Sequence, residues 1–229
     1  MPPPRKAHLA FTLSEVLITL GIIGVVAALT LPALVNSHRA MQYEVGFKTA
    51  QSLLGQAVNE LHTKDIYIYG NIDYKPNLPF SNIFAEAFSG INALNSYKAG
   101  FDGYAKYKTY SNTPFNHARL DDGSCQLTNG MSVYFESGTR STTTTPIVIF
   151  DLNGSKNKPN RFGYDTFAFI VDEYDKVYPL GSSLATSAKY KLFTDLSRYC
   201  NKDSTSEENG ISCAYEAATQ KDYFKNHLK

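Results

Sequence analysis

An uncharged run from Val16 to Ser37 constrains this chain more than any other feature of its sequence. The run includes VLITLGIIGVVAALTLPALV, and about 20 apolar residues at 1.5 Å each cover the roughly 30 Å of a bilayer's hydrocarbon. Glu15 lies directly before it. A carboxylate that enters lipid without a partner costs several kcal/mol. Glu15 therefore either lies in the headgroup zone without a specific role or marks a functional site.

The ten residues that begin the chain predict how it lies across a membrane. The leader MPPPRKAHLA carries Arg5 and Lys6 and no acidic residue. Basic flanking residues stay on the cytoplasmic side, so the remainder of the chain is expected to cross outward. A secretory signal peptide would have a shorter apolar stretch of about 7–15 residues followed by a cleavage site. We therefore expect a single-pass protein with an extracytoplasmic C-terminal domain.

The segment AFTLSEVLITLGIIGVVAALTLP, residues 10–32, carries a specific motif. It resembles the prepilin signature of type IV pilins and type II secretion pseudopilins, in which a small residue precedes an aromatic residue, Thr-Leu follows, and a glutamate lies four residues after the aromatic. The match places cleavage between Ala10 and Phe11 and makes Glu15 the signature acid. Pro32 falls where such pilins commonly carry a helix-loosening proline. The family usually has glycine before the cut, so Ala10 departs from its pattern.

The resemblance implies a structural subunit and no enzymatic activity. A prepilin peptidase would cut after Ala10 and methylate the amine of Phe11, and the mature chain would polymerise through its N-terminal helix into a type IV pilus or a type II secretion pseudopilus. Glu15 would face the Phe11 amine of a neighbouring subunit, because a buried charge without a partner is costly. The implied partners are the peptidase, copies of this chain or sister pilins, and an assembly platform in the bacterial inner membrane. Once assembled, the subunit would lie at the cell surface or in the periplasm.

A second function remains open beside the first. The chain fits a membrane-anchored, extracytoplasmic module that binds carbohydrate or protein, keeps its leader and never polymerises. Within the first function, the sequence does not distinguish a major from a minor subunit. It also does not distinguish a pilus, a secretion pseudopilus and a machine for DNA uptake.

Helical periodicity continues beyond the apolar run. Apolar residues recur mostly every three or four positions between residues 36 and 62, which is typical of an amphipathic helix. We predict one helix from about Thr12 to about His62, with its first half in lipid and its second half against a sheet. Pro32 lacks a backbone donor and predicts a kink or a melted patch. The predicted organisation is a leader (1–10), a transmembrane and polymerisation segment (11–35), its amphipathic continuation (36–62) and a globular domain (63–229).

The globular part predicts an antiparallel sheet. Short apolar and β-branched runs bounded by turn residues indicate strands at Met131–Glu136, Pro146–Leu152, Thr166–Val171 and Lys176–Leu180. Two further stretches, Pro79–Phe88 and Ser187–Tyr199, are expected to be helical. A long helix packed on an antiparallel sheet is an α+β arrangement, which agrees with the pilin-like fold that the N-terminus implies.

The stretch DLNGSKNKPNRFGYD, from Asp151 to Asp165, is a candidate calcium loop. Asp151, Asn153 and Ser155 alternate as oxygen donors, and Ca²⁺ takes six to eight oxygens. The loop lacks the glycine and the closing glutamate of an EF-hand, and three basic residues interrupt it. It resembles a connection found in pseudopilin-like proteins, some of which hold calcium in this part of the fold. Calcium on Asp151, Asn153 and Asp165 and a plain pair of turns remain alternatives; no other cofactor is expected.

Cys200 and Cys213 bracket the polar segment NKDSTSEENGIS. Disulfides persist outside the cytoplasm, and many pilins carry a disulfide-bounded loop near the C-terminus, so the resemblance implies a bond between these two cysteines. Cys125 is then left over, and a buried free thiol is the expected state.

Composition and motifs exclude several other functions. The net charge is +1, which argues against nucleic-acid binding through a broad basic surface. The five histidines are scattered, and the sequence contains no Gly-x-Ser-x-Gly elbow, phosphate loop or HExxH helix. The acidic pair Asp121-Asp122 lies among turn residues, where solvated charge is the usual explanation.

Overall fold

A computed structural model describes residues 12–66, 84, 87–88, 91–95, 106–136, 146–172, 174–184 and 188–227. Helix α1 spans Leu13–Thr63. Within the described part of the chain, six strands follow: β1 (Ile91–Asn95), β2 (Ser124–Leu127), β3 (Ser132–Glu136), β4 (Ile147–Asp151), β5 (Thr166–Val171) and β6 (Val177–Pro179). The C-terminal region contains a 3₁₀ helix (Ala188–Thr194) and three short helices, α2 (Leu196–Tyr199), α3 (Cys213–Thr219) and α4 (Tyr223–His227).

The predicted long helix is confirmed, and its boundaries differ from the expectation by one residue at each end. Thr12 is the N-cap and forms a capping box with Glu15, which satisfies backbone donors that the first turn leaves without a helical partner. The helix continues through Pro32 without a break, so no melted patch forms there. Its buried side chains all lie in the second half and recur mostly every three or four residues: Ala40, Tyr43, Phe47, Ala50, Leu54, Ala57, Val58 and Leu61.

The strands form one antiparallel sheet in the order β1-β2-β3-β4-β5-β6, in which each strand pairs with its neighbours in sequence. All residues of β3, β4 and β5 are buried. Strands covered on both faces read as continuous apolar runs, which is why the sequence IVIF and FAFIV predicted these elements correctly. The four predicted strands are confirmed as β3 to β6.

Two elements of the sheet were not predicted. β1 (INALN) and β2 (SCQL) are short and carry few β-branched or aromatic residues, so their sequences show no pattern that would predict a strand. Both owe their conformation to pairing, since β1 pairs with β2 and β2 with β3. The helix expected over Pro79–Phe88 falls largely outside the described residues. Within Ser187–Tyr199 the structure has the 3₁₀ helix followed by α2, and not one continuous α-helix.

Alternation along the strands builds two cores. Val148 and Phe150 of β4 face α1, whereas Ile147 and Ile149 face the opposite layer. The α1 side is closed further by α3 and α4, which contribute Cys213, Ala214, Tyr223 and Phe224. The opposite side is covered by the segments around residues 107–120 and 193–211, through Tyr107, Phe115, Leu120, Phe193, Tyr199 and Ile211. The α+β class is therefore observed, with a second covering layer that the sequence did not predict.

Candidate functional sites on helix α1 and in the loop between β4 and β5

Among the residues that the structure describes, none packs over the N-terminal half of α1. Among the described residues, this is the one helix long and apolar enough to cross a membrane, and none of its most apolar window is buried. Its large side chains are exposed at Leu13, Val16, Leu17, Ile18, Leu20, Ile22, Ile23, Val25, Val26, Leu29, Leu31, Leu34 and Val35. A contiguous apolar surface of this size requires a cover of lipid or of other protein. The pattern changes at Ala40, from which point one stripe of the helix is buried.

Glu15 folds back on the start of α1. Its Oε2 accepts hydrogen bonds from the backbone N of Thr12 at 2.9 Å and from Thr12 Oγ1 at 2.8 Å. The backbone N of Glu15 donates in turn to Thr12 Oγ1 at 3.3 Å. This capping role was missed at the sequence level, although the Thr-x-x-Glu spacing is its signature. The cleavage and methylation residues, Ala10 and Phe11, lie outside the described residues.

Pro32 lies in the exposed half of α1. Proline has no backbone N–H, so the carbonyl of Ala28 lacks its usual helical donor. Nearby, Thr30 Oγ1 donates to the carbonyl oxygen of Val26 at 2.9 Å, which adds a second acceptor role to a carbonyl in the same turn. The chain therefore stays helical through Pro32 but has one fewer backbone hydrogen bond at this point.

The loop between β4 and β5 contains two carboxylates that are fully buried. Asp151 ends β4 and Asp165 immediately precedes β5, and both are 0% exposed. Neither forms an ion pair with a basic side chain among the described residues, and the two basic residues Lys156 and Lys158 are exposed. Burial raises the pKa of Asp151, and the charge of Asp165 raises it further. Burial likewise raises the pKa of Asp165.

Hydrogen bonds hold the Asp151 carboxylate in place. Its Oδ1 accepts from the backbone N of Asn153 at 3.3 Å and of Gly154 at 3.0 Å. Its Oδ2 accepts from Tyr107 Oη at 2.6 Å, and that hydroxyl lies 3.0 Å from Tyr134 Oη. Each carboxylate oxygen has two lone pairs, so Oδ1 is saturated and Oδ2 retains one lone pair.

The Asp165 carboxylate has the same pattern. Its Oδ1 accepts from the backbone N of Arg161 at 2.7 Å and from Thr166 Oγ1 at 3.2 Å. Its Oδ2 accepts from the backbone N of Asn160 at 2.9 Å. One lone pair of Oδ2 is again left over.

Two buried amide oxygens in the same loop have no hydrogen-bond donor. They are Asn153 Oδ1 and Asn160 Oδ1, and Asn160 was not among the residues singled out from the sequence. Buried polar atoms without a partner are rare, and in many proteins a bound water or ion satisfies them. Two carboxylate oxygens and two amide oxygens, all hard ligands, are the chemistry that Ca²⁺ prefers. The donor types are those of the expected cation, and calcium on Asp151, Asn153 and Asp165 stays a prediction.

A second group of acids is less suited to a metal. Oxygens of Asp121, Asp122 and Glu136 lie within 4.8 Å of one another. Arg119 faces this group, since its Nη1 is 3.3 Å from Glu136 Oε1 and its Nε is 2.6 Å from Glu208 Oε1. The guanidinium already supplies positive charge, so we assign no ion to these carboxylates.

The predicted disulfide is confirmed. Cys200 and Cys213 are bonded, with their Cα atoms 5.0 Å apart, and the bond joins the end of α2 to the start of α3. The remaining cysteine, Cys125, is buried and free as expected. Burial raises the pKa of the Cys125 thiol to about 12, which keeps it protonated and unreactive at neutral pH.

Comparison with known proteins returned no relationship: no family model, no curated protein and no solved structure matches this chain. The α+β layout, with a long N-terminal helix on an antiparallel sheet, is compatible with a pilin-like arrangement.

Proposed function

We propose that this protein is a membrane-anchored structural subunit that polymerises through the N-terminal half of α1 into a filament of the type IV pilus or type II secretion pseudopilus kind. The observation that supports the proposal is the contrast between the halves of one continuous helix. Residues 40–61 pack on the sheet along one stripe, whereas residues 13–35 expose apolar side chains on every side. An exposed apolar helix that continues into a folded domain can lie in the lipid bilayer before assembly. The same helix can pack among identical helices once a filament forms.

Glu15 has the central role in this proposal. In a filament its carboxylate would exchange the Thr12 donors of its own helix for the Phe11 amine of a neighbouring subunit. Both arrangements satisfy the charge, but only the second links two chains. A neighbour at the wrong axial offset would leave the carboxylate unpaired among apolar side chains, which is strongly unfavourable. Glu15 would thereby select one register of assembly.

Analysis of the processed N-terminus tests the proposal. We would determine the intact mass and N-terminal residue of the chain recovered from its native membrane and from sheared surface or periplasmic material. A chain that begins at methylated Phe11 and occurs in the sheared fraction is the expected result. A chain that keeps residues 1–10 and stays in the membrane would refute polymerisation and favour the anchored binding module.

A matched pair of variants tests the role of Glu15. Glu15→Gln removes the charge and keeps the size of the side chain, so we expect normal membrane insertion and loss of filament incorporation. Glu44→Gln is the control, because Glu44 is a half-exposed glutamate of the same helix whose Oε1 lies 2.6 Å from Lys48 Nζ. Equal incorporation of both variants would contradict the assigned role of Glu15.

A further inference from the structure

We propose that the end of the folded domain nearest the membrane binds anionic phospholipid headgroups through Arg39, Lys156 and Lys158, which together form the basic patch. The inference rests on the membrane anchorage of α1 in the proposed function and does not depend on polymerisation. It names the partner of this surface as a bilayer that contains anionic lipid. Contact with that bilayer would hold the domain in one orientation before the subunit assembles.

Two contacts set the direction of the sheet relative to α1. In the loop between β4 and β5, Asn153 Nδ2 donates to Tyr43 Oη at 3.2 Å, and Tyr43 lies about two turns beyond Val35, where the apolar run ends. Beyond the other end of β5, Asp175 Oδ2 lies 2.5 Å from Nε2 of His62, which is in the last turn of the helix. The loop between β4 and β5 is therefore at the membrane-proximal end of the sheet, and the turn between β5 and β6 is at the membrane-distal end.

The membrane-proximal loop lies within reach of the lipid headgroups. Two turns of helix correspond to about 12 Å along its axis, and the headgroup layer extends about 5–7 Å beyond the hydrocarbon on each side. Tyr43 is then about 5–7 Å from the headgroups, which is less than the Debye length of about 8 Å at physiological ionic strength. Lysine and arginine carry their charge on a long flexible stem that extends toward an interface, so basic residues at this level can contact lipid phosphates.

The basic patch is exposed and carries charge without an acidic partner. Lys156 and Lys158 are exposed residues of the loop, and Arg39 is exposed on α1 one turn before Tyr43. None of the three belongs to an ion pair among the residues that the structure describes. Three such cations at one end of a domain attract an anionic membrane surface.

Acidic groups at the same end leave this charge in place. Asp151 and Asp165 are completely buried, so neither carboxylate reaches the surface that faces the bilayer. Glu44 is half-exposed, and its Oε1 lies 2.6 Å from Lys48 Nζ. The charge that the loop presents to the membrane is therefore that of its lysines.

The membrane-distal end carries the opposite charge. Glu136 ends β3 at the edge of the sheet away from Asp151, and its carboxylate lies within 4.8 Å of oxygens of Asp121 and Asp122. Arg119 pairs with Glu136 at 3.3 Å and neutralises only part of this charge. An anionic bilayer would attract one end of the domain and repel the other, which favours the orientation that the helix already imposes.

Acetylation of lysines in a bilayer tests the contact. The full chain would be placed in nanodiscs of phosphatidylcholine, alone or in an equal mixture with phosphatidylglycerol, and treated briefly with acetic anhydride before mass spectrometry. We expect Lys156 and Lys158 to react about fivefold more slowly in the anionic nanodiscs, and high salt should remove this protection. Lys64, which follows α1, and Lys176, in the turn between β5 and β6, are exposed at the distal end and should react equally in both.

Two results of this experiment would overturn the basic patch. One is equal reaction of Lys156 and Lys158 in both kinds of nanodisc. The other is the same protection by inorganic phosphate in nanodiscs of phosphatidylcholine alone, which would assign the surface to a soluble anion. A chain that does not enter nanodiscs at all would instead refute the membrane anchorage in the proposed function.

Two double variants with the same change in net charge separate the patch from total charge. Lys156→Gln with Lys158→Gln removes two charges at the proximal end and keeps the backbone carbonyl of residue 158, which accepts from Asn153 Nδ2. Lys64→Gln with Lys176→Gln removes two charges at the distal end. The readout is the enrichment of phosphatidylglycerol among the lipids that copurify with the chain when a copolymer extracts it from mixed bilayers. We expect the proximal variant to lose most of the enrichment and the distal variant to keep it. Equal loss in both variants would refute the basic patch, and leader cleavage would be unaffected by either result.

Discussion

Replacement of Phe47 by alanine should separate α1 from the sheet more effectively than any change on the exposed face of the helix. Phe47 lies in the second half of α1 and is 2% exposed. Its ring centroid is 5.1 Å from that of Phe167 and 5.3 Å from that of Phe169, both on β5, and 5.9 Å from that of Phe224 on α4. One side chain thus contacts the sheet and the C-terminal helix together.

The expected loss follows from this burial. Truncation of a buried phenylalanine to alanine typically costs about 3–5 kcal/mol, because the lost transfer free energy is accompanied by a cavity. Aromatic pairs of this geometry add about 0.5–1.5 kcal/mol beyond the buried area. We expect Phe47→Ala to fall in the upper part of the range. Domains of ordinary stability have about 5–15 kcal/mol in total, so the variant should be severely destabilised but still measurable.

Urea unfolding of the full chain in micelles measures this free energy. The chain has sixteen tyrosines and no tryptophan, so tyrosine fluorescence and near-UV circular dichroism report on the folded domain. Val45→Ala is the matched control, because Val45 is two residues away on the same helix and 59% exposed. Its free energy of unfolding should change by no more than about 0.5 kcal/mol.

A double-mutant cycle separates the contact from general helix effects. Phe47→Ala and Phe224→Ala should be coupled by about 0.5–1.5 kcal/mol, since the two rings touch. The reasoning fails if Phe47→Ala costs less than about 1 kcal/mol, a value ordinary for any substitution, or if Val45→Ala costs as much. Either result would mean that α1 does not depend on this aromatic contact for its place on the sheet.

Three other predictions concern the C-terminal region and the free thiol. Joint replacement of Cys200 and Cys213 by serine should lower the free energy of unfolding by about 3 kcal/mol, because the bond closes a short loop; a denaturant titration measures this, and an unchanged midpoint would contradict it. Cys125, whose pKa burial raises to about 12, should resist iodoacetamide at pH 8 in the folded chain and react once urea is added; rapid labelling without urea would show that the thiol is accessible. Burial, and then the charge of Lys202, lowers the pKa of His227. The unfolded chain therefore takes up this proton first as the pH falls below about 6.5, so the stability that depends on neutral His227 is present above that pH and lost below it. We expect the Tm to decrease as the pH is lowered from about 7 to about 5, and we expect this decrease to be smaller in H227Q. An equal decrease in H227Q would assign the pH dependence of the Tm to other groups.

Prediction from the sequence was most successful where the signal is local. The boundaries of α1 follow from an apolar run and its helical continuation, and each depends only on residues within a few turns. Strands β3, β4 and β5 were predictable because a strand buried on both faces is mostly apolar, as the runs VYF, IVIF and FAFIV are. β2 offered no such signal, since SCQL contains one β-compatible apolar residue beside its cysteine. Its conformation depends on pairing with β3, which no short window of sequence contains.

The candidate cation site shows the same division within one loop. Asp151 and Asn153 were recognised from the spacing of their oxygens, whereas Asn160 lies in a stretch whose lysines, arginine and proline suggest an ordinary solvated turn. The chain direction turns Lys156 and Lys158 outward and Asn160 inward, and only the folded loop reveals this. The sequence alone does not distinguish Asn160 from the other polar residues of this loop.

The sequence by itself determined that this protein has a helix able to span a membrane, a mainly antiparallel domain behind it and a pair of cysteines able to bond. These properties depend on composition, periodicity and spacing, all of which act over short distances along the chain. The tertiary structure decided that both faces of the sheet are covered, that Phe47 joins α1 to β5 and α4, and that Asp151, Asn160 and Asp165 are buried in one loop. Each of these depends on residues brought together from distant parts of the chain, because packing selects one set of partners among many that the local sequence would allow.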